Sequence, residues 1–166
     1  MGEKLTKNDI EKIEKEIEYR KLELRPKILA DLKEARAQGD LSENFEYYTA
    51  KRERNKNDSR IRYLEKMIKF ADVIEDNLSD DEAGLDKSVK VRFENTGKEE
   101  VLRLVTPIRG DSIKKFISIE SPVGVALSGH KVGETVTVCV NASMKYDLTI
   151  LEVKPADDSN DTIRQY

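Results

Sequence analysis

The sequence predicts an α+β protein in which a long antiparallel α-helical hairpin, a coiled coil, precedes a small antiparallel β domain. Three observations point to this. Glycine and proline are sparse up to residue 76, where only Gly2, Gly39 and Pro26 occur, and dense beyond it, as short strands and turns require. Ile10, Ile13, Ile17 and Leu24 recur at heptad-like spacing, the pattern of one helical stripe. Past residue 88 the apolar residues alternate instead, with the period of two of a half-buried strand. The boundaries read as 1–76 for the hairpin, 77–87 for a linker, 88–155 for the β domain and 156–166 for a flexible tail.

Helix one is expected from Asn8 or Asp9, either of which can cap it, to Gln38. Pro26 lacks an amide proton and its ring crowds the preceding turn. A bend or local stutter is expected there, with the stripe resuming at Ile28, Leu32 and Ala35. Gly39 ends the helix. Helix two is expected from Ser42 to Asp72, with Tyr47, Ala50, Arg54, Asn57, Ile61, Leu64, Ile68 and Ala71 on its seam. The polar members Arg54 and Asn57 weaken that seam locally and can fix the pairing of the helices. So short a connection makes the helices antiparallel neighbours. Roughly 30 residues each, at 1.5 Å per residue, give an arm of ~45 Å. After the acidic linker, strands are expected around Val89–Phe93, Val101–Val105, Phe116–Ile119, Val136–Val140 and Leu148–Val153, with one helical turn in SPVGVALSGHKVGE.

Charged residues make up 38% of the chain and hydrophobic ones 37%, which suits helices that face water on most sides. No segment approaches the ~20 apolar residues of a membrane span, and the N-terminus lacks the apolar core of a secretory signal. A cytoplasmic protein without a membrane partner is expected. Cys139 stands alone, so no intrachain disulfide can form; in its alternating apolar segment it is expected to be buried and inert. His130, in a glycine-flanked turn without metal-ligand spacing, reads as a solvated loop residue.

The connection between the helices reads ARAQGDLSENFEYY. Asp40 followed by Glu43 has the spacing of a capping box at the start of helix two, and acidic residues suit a helix N-terminus. The same pair allows a chemical reading. Two carboxylates at the end of a long arm can hold Mg²⁺ through one or two oxygens, with phosphate and water completing the shell, and can orient an attacking water. They are too few for a tight site, so no tightly bound cofactor is expected in the free protein. Both readings stand at this level.

Downstream, positions 51–62 carry Lys51, Arg52, Arg54, Lys56, Arg60 and Arg62 against Glu53 and Asp58, six cations less two acids, a local +4. This is either a solvated face laced with i,i+4 pairs or a patch that attracts RNA phosphate. Tyr47 is expected in the core, and either Tyr47 or Tyr48 could stack on a base.

The segments EARAQGDLSENFEYYTAKRER and ISIESPVGVALSGHKVGETV, together with Arg25-Pro26 and RIRYLEKMI, resemble the Gre family of bacterial transcript cleavage factors, GreA and GreB, over nearly the whole chain. RIRYL looks like GreB, whereas SGHKVGE looks like GreA, and the chain reads as closer to GreA. The resemblance implies an FKBP-like β domain and a coiled coil that enters the secondary channel of bacterial RNA polymerase. It implies that Asp40 and Glu43 help hold a Mg²⁺ shared with the polymerase and position the attacking water, so that the polymerase cuts backtracked RNA near its 3′ end. The chain would then not be an enzyme by itself, and would work as a monomer. The expected contacts to the nascent RNA 3′ end are Arg36, Lys51, Arg52, Arg54, Lys56 and Arg60. Ser121 and Pro122 match the family's polymerase-docking loop. The alternatives are a Gre-like inhibitor that binds the channel without cleavage, a prolyl isomerase on the β domain, and a coiled-coil interaction module with no tip chemistry.

Overall fold

The structure, a computed structural model, describes residues 2–39, 44–75 and 78–164. It divides into two units, 1–73 and 74–166. The elements of the first are β1 (Lys4–Leu5), α1 (Lys7–Tyr19), a π-helical turn (Arg20–Leu24), α2 (Arg25–Ala37), α3 (Phe45–Lys69) and β2 (Asp72–Val73). The first arm does not start from Asn8 or Asp9. Thr6 is its cap: its hydroxyl accepts from the Asp9 amide and the Asp9 carboxylate accepts from the Thr6 amide, a complete capping box.

The irregularity expected at Pro26 lies one turn earlier. The Arg25 amide donates to the Arg20 carbonyl, five residues back, so the arm holds one extra residue there. Ile13 and Ile28, both buried, are therefore fifteen residues apart where two heptads would separate them by fourteen, and the surplus is taken up by the π turn. Beyond it, Ile28, Leu32 and Ala35 continue the buried stripe of the first arm, and Ala50, Ile61 and Leu64 are buried along α3. Contacts run in opposite directions along the two arms, from Ala35–Asn44 through Arg25–Asp58 to Glu16–Arg60, so the arms are antiparallel.

A polar layer interrupts the seam. Asn57, 3% exposed, donates from Nδ2 to the Arg20 carbonyl at 3.2 Å and accepts at Oδ1 from the Arg20 guanidinium at 3.0 Å. Arg20 and Arg60 both donate to the Glu16 carboxylate, at 2.8 and 2.9 Å. Burial pushes the Glu16 carboxyl up, but hydrogen bonds and charge from Arg60 and Arg20 outweigh it and hold the group below its ordinary range. At the other end of the arms, helix two stops at Lys69, short of Asp72. Asp72 and Val73 instead form a two-residue parallel pair with Lys4 and Leu5.

The second unit contains β3 (Lys87–Phe93), β4 (Glu99–Val105), β5 (Phe116–Ser118), α4 (Pro122–Leu127), β6 (Thr135–Cys139) and β7 (Lys145–Pro155). The sheet order is β5-β4-β3-β7-β6. It was expected to be antiparallel and is mixed, because β4 and β5 run parallel, joined by a chain segment long enough to cross back. Val89, Val91, Leu102, Leu104, Val136, Val138, Leu148 and Ile150 build the core with Leu127 of α4. In β7 the pairing to β3 skips Leu151, and this bulge re-phases the strand so that Val153 returns to the core side.

Within the linker, Ala83, fully buried, joins the core, and its backbone exchanges hydrogen bonds with His130 and Gly129. Two expectations fail here. The tail 156–166 is not loose over its described residues. Asp161 accepts from both guanidinium ends of Arg103 and from Arg109, at 2.7 to 2.8 Å, and the Arg164 amide donates to Ile108. Cys139 is exposed, because Val136 and Val138 take the inward positions of β6 and place it on the outer parity.

Candidate functional site

Asp40 and Glu43, the carboxylates singled out in the sequence, lie outside the described residues. Their flanks are described. Gly39 has φ +109°, a conformation open to glycine after a helix. Asn44 is the cap of α3, its Oδ1 accepting from the Tyr47 amide at 3.0 Å while its Nδ2 donates to the Ala35 carbonyl at 2.6 Å. One side chain thus starts the second arm and ties it to the end of the first. The capping role that the D-x-x-E spacing suggested for Asp40 belongs to Asn44, four positions later, and helix two starts at Phe45.

At about 100° per residue, Lys51, Arg52, Lys56, Arg62, Lys66 and Lys69 fall within an arc of about 140° on α3. All six are exposed. The acids of α3 lie outside that arc. Asp58 and Glu65 turn to one flank and pair with Arg25 and Lys21 of the first arm, while Glu46 and Glu53 lie on the other. Among the described residues, none of the six cations is in an ion pair; Arg62 bonds the Ser59 hydroxyl and Lys69 lies over the Phe70 ring. The face is therefore not laced with i,i+4 pairs. Tyr48, 46% exposed, lies in the same arc. Tyr47 is half-buried under Arg36, whose guanidinium lies 5.7 Å from its ring centre.

The expected RNA-contact set is thus redrawn. Lys51, Arg52 and Lys56 lie on the arc; Arg54 is half-buried and bonds Asn55, and Arg36 stands across the seam. Arg60 does not belong to the set. It is 2% exposed, held by Glu16 and stacked 5.5 Å from the Tyr63 ring centre. Lys66 and Lys69 do belong to the arc and were missed. Their signal was the i+4, i+3 step from Arg62, beyond the window in which charge was counted.

In the second unit Ser121 is the cap of α4: its hydroxyl accepts from the Gly124 amide and donates to the Ser118 carbonyl, and Pro122 opens the helix exposed. Gly124 is fixed by packing, since a Cβ there would lie 2.1 Å from the Ser118 carbonyl oxygen. His130 is exposed and bonds Glu134. Among the described residues, no three His, Cys, Asp or Glu side chains form a metal-binding group, and no helix is long and apolar enough to cross a membrane.

The hairpin and the sheet unit each match a known domain. Residues 3–73 fit the description "Transcription elongation factor, N-terminal", and residues 78–155 fit "Transcription elongation factor, GreA/GreB, C-term". The chain belongs to the GreA/GreB family of bacterial transcription elongation factors. Within it, the chain stands nearer to GreA. It is 44% identical over 152 residues to transcription elongation factor GreA of Caldanaerobacter subterraneus subsp. tengcongensis, covering 90% of this chain and 96% of that protein. It is 42% identical over 135 residues to GreA of Thermotoga sp. (strain RQ2), covering 81% and 86%. Among solved structures, GreA factor homolog 1 of Thermus thermophilus aligns over 92% of this chain and 99% of its own, at 24% identity and a TM-score of 0.43.

Proposed function

We propose that this chain inserts its hairpin into the secondary channel of bacterial RNA polymerase and stimulates the polymerase's own endonucleolytic cleavage of backtracked RNA 3′ ends, rescuing arrested complexes. The observation that carries this reading is the segregation of charge on α3. A face of exposed cations, none of them in an ion pair among the described residues, runs back from the connection that bears Asp40 and Glu43. Asn44, just beyond the pair, is the cap of α3.

In this reading Lys51 and Arg52, nearest the tip, and Lys56 and Arg62 behind them attract the phosphates of the extruded 3′ segment. Tyr48 offers a ring on which a base can stack. Asp40 and Glu43 supply hard carboxylate oxygens, a donor set that suits Mg²⁺ but is too small to fill its shell, so the remaining ligands come from the polymerase. When bound there, the ion supplies Lewis-acid activation of the attacking water and neutralises developing charge. The chain is then a donor of half a site, acting as a cytoplasmic monomer, and not an enzyme by itself. Ser121 and Pro122, at the start of α4, present a rigid capped corner for docking on the polymerase.

The test is RNA cleavage in backtracked polymerase complexes, with wild type beside the double variant Asp40→Asn, Glu43→Gln. Wild type should release short 3′ fragments, and the variant should lose cleavage while still binding polymerase. Wild type that blocks extension without releasing fragments would establish the inhibitor reading instead.

A further inference from the structure

Beside the basic arc, the hairpin carries a groove between α2 and α3 of about 540 Å³. Its floor is apolar. Leu24 and Ile28 come from the first arm, and Ala35 faces Ala50 across the seam, two small residues that leave the floor open to an incoming side chain. Phe45, the first residue of α3, stands at one end and is 87% exposed. From Leu24 to Ala35 the groove follows about 16 Å of helix axis, roughly three turns. Ligand-sized pockets lie in the same range of volume, and a third helix laid between two others needs such a stripe.

The rim is acidic. Asp31 and Glu34 line one side and Glu46 and Glu53 the other, with Lys27 the single cation. All four carboxylates are exposed, and among the described residues none is held in an ion pair. An apolar floor inside an unneutralised acidic rim repels nucleic acid and fits a polypeptide that carries apolar anchors flanked by lysine or arginine.

We infer that this groove is a protein-docking surface for a basic, amphipathic helical segment of the polymerase, engaged on the flank of the hairpin next to the basic face. The inference rests on the channel-insertion reading above and assigns the second face of the same arm. One face of α3 then holds RNA by its phosphates. The acidic-rimmed flank beside it is held by polymerase protein through two or three apolar side chains, with Phe45, at the border of the two, as the exposed aromatic anchor.

The test uses the full chain and bacterial core polymerase. The charge-reversal variant Glu34→Lys, Glu53→Lys should bind polymerase at least about tenfold more weakly at low salt, with the deficit shrinking as salt screens the rim. Phe45→Ala should weaken binding by about tenfold at every salt concentration, through faster dissociation. A photo-crosslinking residue at Thr49, on the groove wall, should join a polymerase stretch with Lys or Arg beside apolar residues. Unchanged affinity of both variants in folded protein, or crosslinks to RNA or to a second copy of this chain, would overturn the docking inference. Cleavage that still depends on Asp40 and Glu43 would leave the functional reading standing in that case. Wild type that binds no polymerase at all would sink both.

Discussion

Replacing Arg60 by alanine separates a structural reading of the basic run from a nucleic-acid one. Arg60 is 2% exposed, donates to Glu16 at 2.9 Å with a weaker second contact at 3.4 Å, and lies over Tyr63. Losing one partner of a buried pair typically costs about 3–5 kcal/mol. Here Glu16 keeps Arg20 and its side chain is 23% exposed, so water and a remaining cation relieve part of the loss. About 2–3 kcal/mol follows, from one charge-assisted hydrogen bond, a ring contact and the gap left by the side chain. For a unit of this size that is a fall in Tm of about 10–20 °C. Thermal unfolding followed by circular dichroism at 222 nm, dominated by the hairpin, measures it directly. Arg62→Ala is the control, because Arg62 is exposed: it should leave Tm within about 2 °C and weaken RNA crosslinking. The reverse pattern, with Arg60→Ala thermally neutral and poor at contacting RNA, would refute the burial reasoning.

Three further outcomes are expected. Asp161→Ala strips a carboxylate from two guanidinium groups with 13% and 0% exposed side chains and should lower the stability of the sheet unit by about 2–4 kcal/mol in urea unfolding. Asn44→Ala removes both the cap of α3 and its tie to Ala35, and should destabilise the hairpin by about 1–2 kcal/mol, whereas Asp40→Ala should change its melting little. The Glu16 carboxyl sits below its ordinary 4.5, so the unfolded chain binds its proton first as pH falls; the polar layer stabilises the hairpin fully above about pH 4.5 and loses that contribution below it. Unfolding of Glu16→Gln across this range should show a flatter acid limb than wild type.

Much of the fold was legible because its signals are local. The change of period near residue 77, the heptad stripe and the alternation in Val89–Val91 or Val136–Val138 each need only a few neighbours to be read. Asn57 was also legible: a polar residue on a seam must find a partner, and it bridges to the backbone and side chain of Arg20. The misses have physical causes. Arg60 was counted by charge without helical phase, though it lies beside the seam positions Asn57 and Leu64. Cys139 was placed by its apolar company and not by its parity. Asp161 has no local signal, since its partners lie 58 and 52 residues away. The clasp of Lys4–Leu5 with Asp72–Val73 is two residues long, too short to pattern. At the tip, the D-x-x-E spacing pointed to a cap that Asn44 supplies.

The π turn also determines where this chain can change length. Elsewhere in the first arm, inserting or deleting one residue rotates everything beyond it by about 100° and takes Ile28, Leu32 and Ala35 off the seam. Between Arg20 and Leu24 the surplus residue is already stored. Removing one there lets the Arg25 amide reach back four residues in place of five and leaves Ile13 and Ile28 two heptads apart. Both flanking layers keep their partners. A relative one residue shorter in this arm can therefore share every packing contact on either side, and an alignment of the two should carry its gap within these five positions.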